Sequence, residues 1–180
     1  MTAPLESSIK KNIRTIPDYP KKGVRFRDLT TLWQNGDLSR QVTGELVKYC
    51  RKKEVQTIVG IEARGFIVGA PVADRLGIGF VPARKLGKLP SKTVNAKYKL
   101  EYGKQGLEIH ADGISKGERV LIVDDLLATG GTAGAAKDLV ERLGGVVAGF
   151  AFITELTLLN GRKKLKGYDI LSLAKYDDSE

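Results

Sequence analysis

One cysteine, Cys50, stands in the 180 residues, which excludes an intrachain disulfide and any multi-cysteine zinc or iron–sulfur site. One histidine, His110, likewise excludes a multi-histidine metal site, and no CxxC pair is present. Uninterrupted apolar runs reach only a few residues, far below the roughly 18–20 that a membrane-spanning helix needs. The first eight residues, Met1 to Ser8, lack the basic start and apolar stretch of a secretory signal. These absences predict a soluble chain in a reducing compartment, most simply the cytoplasm.

What remains is globular composition, with 42% hydrophobic and 28% charged residues, neither collagen-like nor disordered. A chain of this length buries about 70% of its unfolded surface and folds without staples. Lys and Arg exceed Asp and Glu by 30 to 21, a net charge of +9. Such an excess favours anionic partners: nucleic acid, a membrane surface or a small phosphorylated substrate.

Leu38, Val42, Leu46 and Tyr49 recur at spacings of three and four and predict a helix over 37–53, with Asp37 or Ser39 as its cap. A buried strand follows over 55–60. Phe66, Ala70, Ala73 and Leu76 mark a second helix, which Pro71 should kink unless it falls near the first turn. Residues 79–82 predict a strand cut short by Pro82. Residues 84–105 interleave seven basic side chains with Gly87, Pro90 and Gly103, and are predicted to be a long mobile loop serving as a lid. Strands over 119–123, 146–153 and 168–173 flank a helix marked by Ala136, Leu139, Val140 and Leu143, closed by Gly144-Gly145. Strands alternating with helices predict a single α/β domain with a central, mainly parallel sheet flanked by helices. Its ends, about 1–35 and 154–180, are expected to form a small cap.

The informative segment is Val120-Leu121-Ile122-Val123-Asp124-Asp125-Leu126-Leu127-Ala128-Thr129-Gly130-Gly131-Thr132. A buried strand delivers two carboxylates to its C-terminal end, where open α/β sheets bind ligands. The turn Ala128, Thr129, Gly130, Gly131, Thr132 then opens a helix, with glycine amides, hydroxyls and a helix N-terminus suited to a phosphate. Asp124 and Asp125 suit the neighbouring hydroxyls of a ribose. Together they describe a ribose 5-phosphate site. A Walker B strand would require G-x-x-x-x-G-K-[ST], but the nearest stretch has Ala136 and Asp138 where Gly and Ser or Thr belong.

This segment resembles the phosphoribosyl pyrophosphate (PRPP) signature of the type I phosphoribosyltransferases. Further stretches resemble the adenine-using branch of that family: Asp18 to Thr30 its base-binding segment, and Gly60 to Phe66 its pyrophosphate loop. Val81 to Pro90 and Leu100 to Gly103 resemble the two ends of its flexible loop. The likeness runs from about residue 9 to residue 174. Family members often carry Pro where Lys22 and Thr31 stand, and Gly where Ser91 stands.

The resemblance implies transfer of ribose 5-phosphate from PRPP to adenine, giving AMP and pyrophosphate in purine salvage. Mg²⁺ is implied as cofactor, held mainly by PRPP, with Asp124 and Asp125 reaching it at most through water. Glu62, Ala63, Arg64, Lys85 and Lys88 are the implied pyrophosphate contacts. Val24, Phe26, Arg27 and Leu156 are the implied adenine contacts, with Phe26 and Leu156 on opposite faces of the base. Arg64, Glu101 and Tyr102 are the implied catalytic residues, Glu101 near N7 of adenine and Tyr102 closing the site. A homodimer is implied too, with no membrane or nucleic-acid partner. Two other readings are a phosphoribosyltransferase for a 6-oxopurine, and a regulator that keeps the fold but binds nucleic acid. The Phe26-Arg27-Asp28 segment opposes the first, and the lack of an added DNA- or RNA-binding segment opposes the second. Trp33, Cys50 and His110 are assigned no role.

Overall fold

The computed structural model describes residues 3–99 and 104–177. Its centre is a seven-stranded sheet made of β3 (Thr57–Ile61), β4 (Gly79–Lys85), β5 (Thr93–Lys99), β6 (Lys104–His110), β7 (Arg119–Leu127), β8 (Val146–Leu156) and β9 (Ile170–Tyr176). The strand order is β5-β6-β4-β3-β7-β8-β9. Strands β4, β3, β7, β8 and β9 run parallel, and β6 and β5 add an antiparallel edge. Before the sheet come α1 (Ala3–Asn12), the two-stranded ribbon β1 (Arg14–Pro17) and β2 (Arg25–Asp28), α2 (Thr30–Gln34) and α3 (Gly36–Lys52). Helices α4 (Arg64–Leu76) and α5 (Gly131–Arg142) make crossovers within it.

The apolar run of β7 is two alternating faces, each buried. Leu121 and Val123 join α3 and α4 residues such as Leu46 and Val72, whereas Val120 and Ile122 join Leu139 and Val140 of α5. Leu121 and Ile122 are both fully buried, so truncating either to alanine costs about 2–5 kcal/mol. Leu5, Ile9, Leu29 and Leu32 belong to the same cluster as α3. The N-terminal elements therefore have no core of their own.

Helix α5 ends as its glycines predict. Gly144 takes φ 87°, its amide donates to Glu141 O at 2.9 Å, and the Gly145 amide donates to Val140 O at 3.0 Å. That pair of bonds satisfies two carbonyls that the helix end would leave open.

Three expectations need correction, and the structure decides where Pro71 falls. The cap of α3 is Asn35, whose side chain accepts from the Leu38 amide at 3.1 Å, not Asp37 or Ser39. Pro71 lies inside α4, on its exposed side, where water can meet the carbonyl left without a donor. Pro82 does not end β4. The Glu62 amide donates to Ala83 O at 2.8 Å, so Ala83 faces β3 and Pro82 faces the other way, where pairing with β6 starts only at Arg84. Finally, most of 84–105 is not an irregular loop. β5 and β6 pair antiparallel from Thr93↔His110 to Lys99↔Lys104, and Ala96, Leu107 and Ile109 are buried within the α5-side core. The lysines on the outward positions masked that alternation.

The β1–β2 ribbon is fastened by a cross-strand ion pair. Asp28 accepts from Arg14 Nε at 3.1 Å, from the Thr30 hydroxyl at 2.6 Å and from the Thr30 amide at 3.0 Å. The Thr30 hydroxyl, then Arg14, hold its carboxyl down at about 2, against an ordinary 3.8. A depressed carboxylate stabilises the fold above its unfolded pKa and loses that contribution as pH falls through the folded one. Asp28→Asn should therefore destabilise by about 2 kcal/mol at pH 7. The deficit should shrink between about pH 4 and pH 2, as measured by urea unfolding across that range. A deficit independent of pH would remove the ion pair as its cause.

Candidate active site

Asp124 and Asp125 lie near the C-terminal end of β7, which Leu127 ends two residues later, beside the first turn of α4. Gly65 makes that approach possible, since a Cβ there would lie 2.7 Å from Val123 O. Asp125 is 1% exposed, and its carbonyl accepts from the Thr154 hydroxyl on β8 at 3.1 Å. Its amide donates to Asp124 Oδ1 at 2.9 Å. Arg64, the first residue of α4, brings Nε to 3.0 Å from Asp125 Oδ2. The alignment is off that of a hydrogen bond, so Oδ2 is a buried acceptor without an aligned donor. The Arg64 guanidinium also lies 5.7 Å over the Phe26 ring. Three predicted site residues from three distant parts of the chain thus meet.

Burial pushes the Asp124 carboxyl well above the ordinary range, and the neighbouring Asp125 charge adds to it. Burial raises Asp125 too, with Arg64 opposing. This is a pair of carboxylates kept ready for a polar or cationic ligand at the cost of desolvation.

Past Asp125 the chain turns around a cavity of about 70 Å³ lined by all five residues from Ala128 to Thr132, with Asp124 and Phe152. It has room for several waters, or for one tetrahedral anion in their place. Gly130 caps α5 in the left-handed conformation, φ 74°. The helix N-terminus supplies amides and favourable partial charge to an anion seated there.

A larger cavity of about 570 Å³ is lined by Val24, Arg27 and Leu156, together with Leu158, Leu159 and Tyr176. Phe26 is not part of that lining. On β2 it points to the opposite face from Arg25 and Arg27, with the Tyr19 ring edge-on at 5.2 Å. Three of the four predicted base contacts are therefore together, and the fourth sits with Arg64.

Residues 31–169 match the phosphoribosyl transferase domain family. The adenine phosphoribosyltransferase of Clostridium perfringens is 56% identical over 170 residues, 94% of this chain and 99% of the relative. The chain belongs to the adenine phosphoribosyltransferase family. The solved adenine phosphoribosyltransferase of Thermoanaerobacter pseudethanolicus is 53% identical, with a TM-score of 0.91 over 94% of this chain and 99% of that one. The Saccharomyces cerevisiae enzyme, complexed with an imino-altritol bisphosphate and adenine, is 36% identical, with a TM-score of 0.91 over 96% and 99%.

In this family member the remaining predicted residues sort less evenly. Ala63 caps α4 next to Arg64, following a cis Glu62–Ala63 peptide. Glu62 accepts from Arg84 Nη2 at 2.8 Å and Nε at 3.2 Å, and from the Lys85 amide at 3.0 Å. Arg84 holds its carboxyl below the usual range. Glu62 thus braces the end of β4. Lys85 ends β4 and Lys88 stands on the turn after it, which Glu108 anchors. Its buried carboxylate accepts from the Lys88 amide at 2.8 Å, the Leu89 amide at 2.9 Å and the Thr93 hydroxyl at 3.3 Å. Burial pushes Glu108 up, but the amides of Leu89, Lys88 and Gly87 outweigh it and hold it down.

Sequence reasoning missed Glu108, Arg84 as a brace, and Thr154. A carboxylate between Leu107 and Ile109 was the available signal for the first. Glu101 and Tyr102 lie outside the described residues.

Proposed function

We propose that the chain transfers ribose 5-phosphate from PRPP to adenine, forming AMP and pyrophosphate. The observation that carries this is the continuous run from half-buried Asp124 and buried Asp125 into the glycine cavity at the start of α5. It occurs in a chain 56% identical to an adenine phosphoribosyltransferase over nearly its whole length. Adenine is printed as a ligand of the yeast relative, and 9-deazaadenine of one from Giardia lamblia that is 34% identical.

In this reading the 5-phosphate sits in the cavity of Ala128 to Thr132, and the ribose hydroxyls donate to Asp124 and Asp125. The unmatched Asp125 Oδ2 is an acceptor for one of them. The bond from the anomeric carbon to pyrophosphate breaks with its electron pair leaving on pyrophosphate. The N9 lone pair of adenine carrying its ring proton on N7 forms the new bond, and that proton passes from N7 to Glu101. Arg64, with fixed guanidinium donors, receives the charge that grows on the departing group. The side chains of Lys85 and Lys88 flank it beside the contacts of Glu62 and Glu108. Val24, Arg27 and Leu156 receive the base with Phe26 at its border, while Glu101 and Tyr102 are assigned to N7 and to closure.

Mg²⁺ fits this site as part of the substrate. Among the described residues no group of three or more His, Cys, Asp or Glu could hold a metal. Two adjacent carboxylates supply only part of the six oxygens the ion takes. When bound, Mg²⁺ would neutralise pyrophosphate charge, with Asp124 and Asp125 its protein-side partners through water. A homodimer in the cytoplasm completes the proposal on family resemblance. No helix of the described residues is long and apolar enough to cross a membrane.

Incubation with Mg²⁺, PRPP and one base at a time is the test. AMP and pyrophosphate should form with adenine, with hypoxanthine and xanthine left unused. Product from a 6-oxopurine alone would reverse the assignment.

A further inference from the structure

The turn after β8 presses on the back of the phosphate loop. Two glycines meet there. A Cβ on Gly130 would lie 2.4 Å from Gly161 O, and a Cβ on Gly161 would lie 2.3 Å from Ala128 O and 3.1 Å from the Gly130 amide nitrogen. Gly161 is buried, and its backbone is outside the left-handed region. Glycine is needed at this position for space, not for conformation. The closest obstructing atoms, Gly161 O and Ala128 O, belong to the main chain. Leu127 Cδ1, 2.9 Å from a Cβ on Gly161, is a side-chain atom, but rotating it leaves the 2.3 Å contact in place.

The turn is itself fastened by the next residue. Arg162 Nε and Nη2 donate to the two oxygens of Glu155, each at 2.7 Å, and Nη2 also donates to Ser172 Oγ at 3.2 Å. Glu155 and Ser172 are buried on β8 and β9. A two-pronged guanidinium contact fixes orientation as well as distance. Gly161 therefore stands between an anchored arginine and the loop whose amides face the cavity.

We propose that Gly161, held by the Arg162–Glu155 contact, is a positioning residue that sets the height of the phosphate loop. The inference rests on the phosphate assignment above. Ligand groups need placement within about 0.5 Å, and a methyl on Gly161 would drive Ala128 back by a comparable distance. Gly161 touches no ligand and acts only through the loop.

Calorimetric binding of AMP and of adenine separates this from a general structural role. In Gly161→Ala, AMP should weaken about tenfold or more, while adenine stays within about twofold. Equal losses for both ligands, or no loss for either, would overturn the proposal. Should the alanine variant not fold, Arg162→Lys serves instead, because it keeps a charge opposite Glu155 but lacks the planar fork. There the amides of Ala128 to Thr132 should exchange several-fold faster, and AMP should weaken about threefold with adenine unchanged. Unchanged exchange and unchanged AMP affinity would be equally fatal. The phosphate assignment is read separately, from the unmodified protein. It fails if AMP binds no tighter than adenosine, whatever the variants do.

Discussion

Replacing Arg64 by alanine should lower kcat/KM with PRPP by about 10²–10³, the cost of removing one preorganised donor from a developing anion. AMP carries no pyrophosphate, so its affinity should fall far less, by no more than about fivefold. Arg64 also lies 3.0 Å from Asp125 Oδ2, and its loss takes away the largest of the interactions that oppose the upward push of burial on Asp125. The residual loss in AMP affinity should therefore diminish as pH is raised and Asp125 ionises again. Parallel titrations of AMP and steady-state kinetics over pH 6–9 (about the usable range for such sites) check both statements. An AMP affinity that fell as much as kcat/KM would place Arg64 on the ribose or base instead.

Asp125→Asn should lose activity by about 10² or more, since the amide cannot accept from the ribose hydroxyls on both of its positions. Its stability should move the other way. Both carboxyls are raised by burial, and a group whose folded pKa is raised stabilises the fold only below its unfolded pKa. That contribution is lost as pH rises toward and through the folded value, so raising the pH makes the Asp125 carboxyl an increasing burden on the fold. Arg64, 37% exposed at its side chain, can be hydrated once its partner is neutral. The variant should unfold at the same or higher urea concentration than the parent at pH 7, with its advantage growing as pH rises above about 4. Asp124→Asn should follow the same pattern. Near-normal turnover in both variants would remove the ribose role, and a large loss of stability would show that the pair holds the fold together.

That inverse relation between activity and stability is what a built site predicts. An ordinary core position would lose both together. Glu108 is the contrasting case. Three amides and a hydroxyl satisfy its carboxylate, so it costs little to keep and serves by holding the turn that carries Lys88.

The strand, turn and helix of the candidate site on β7 and α5 were legible because they are neighbours along the chain. A β-branched strand, two carboxylates, a glycine turn and an amphipathic helix follow one another from Val120 to Leu143, and local geometry alone places them in order. The hairpin of β5 and β6 was not legible. One face of it packs on α5 while the other carries Lys97 and Asn95 into solvent, so a half-buried strand pair reads as a charged loop. Pro82 misled for a related reason, since a proline stops a strand only where its missing donor faces a partner.

The sequence by itself determined the class of fold, the glycine turn that opens α5 and the glycine close of that helix, because each follows from contacts within a few residues. Only the tertiary structure decided that Arg64 lies against Asp125 and Phe26, that Glu62 is a brace, and that Gly161 backs the phosphate loop. Those relations join segments tens of residues apart, and no local propensity encodes them. The same holds for the charge state of the aspartate pair. What raises their carboxyls is the removal of water by β8, α4 and the surrounding core, and desolvation depends on what covers a group in space, not on what precedes it in the chain.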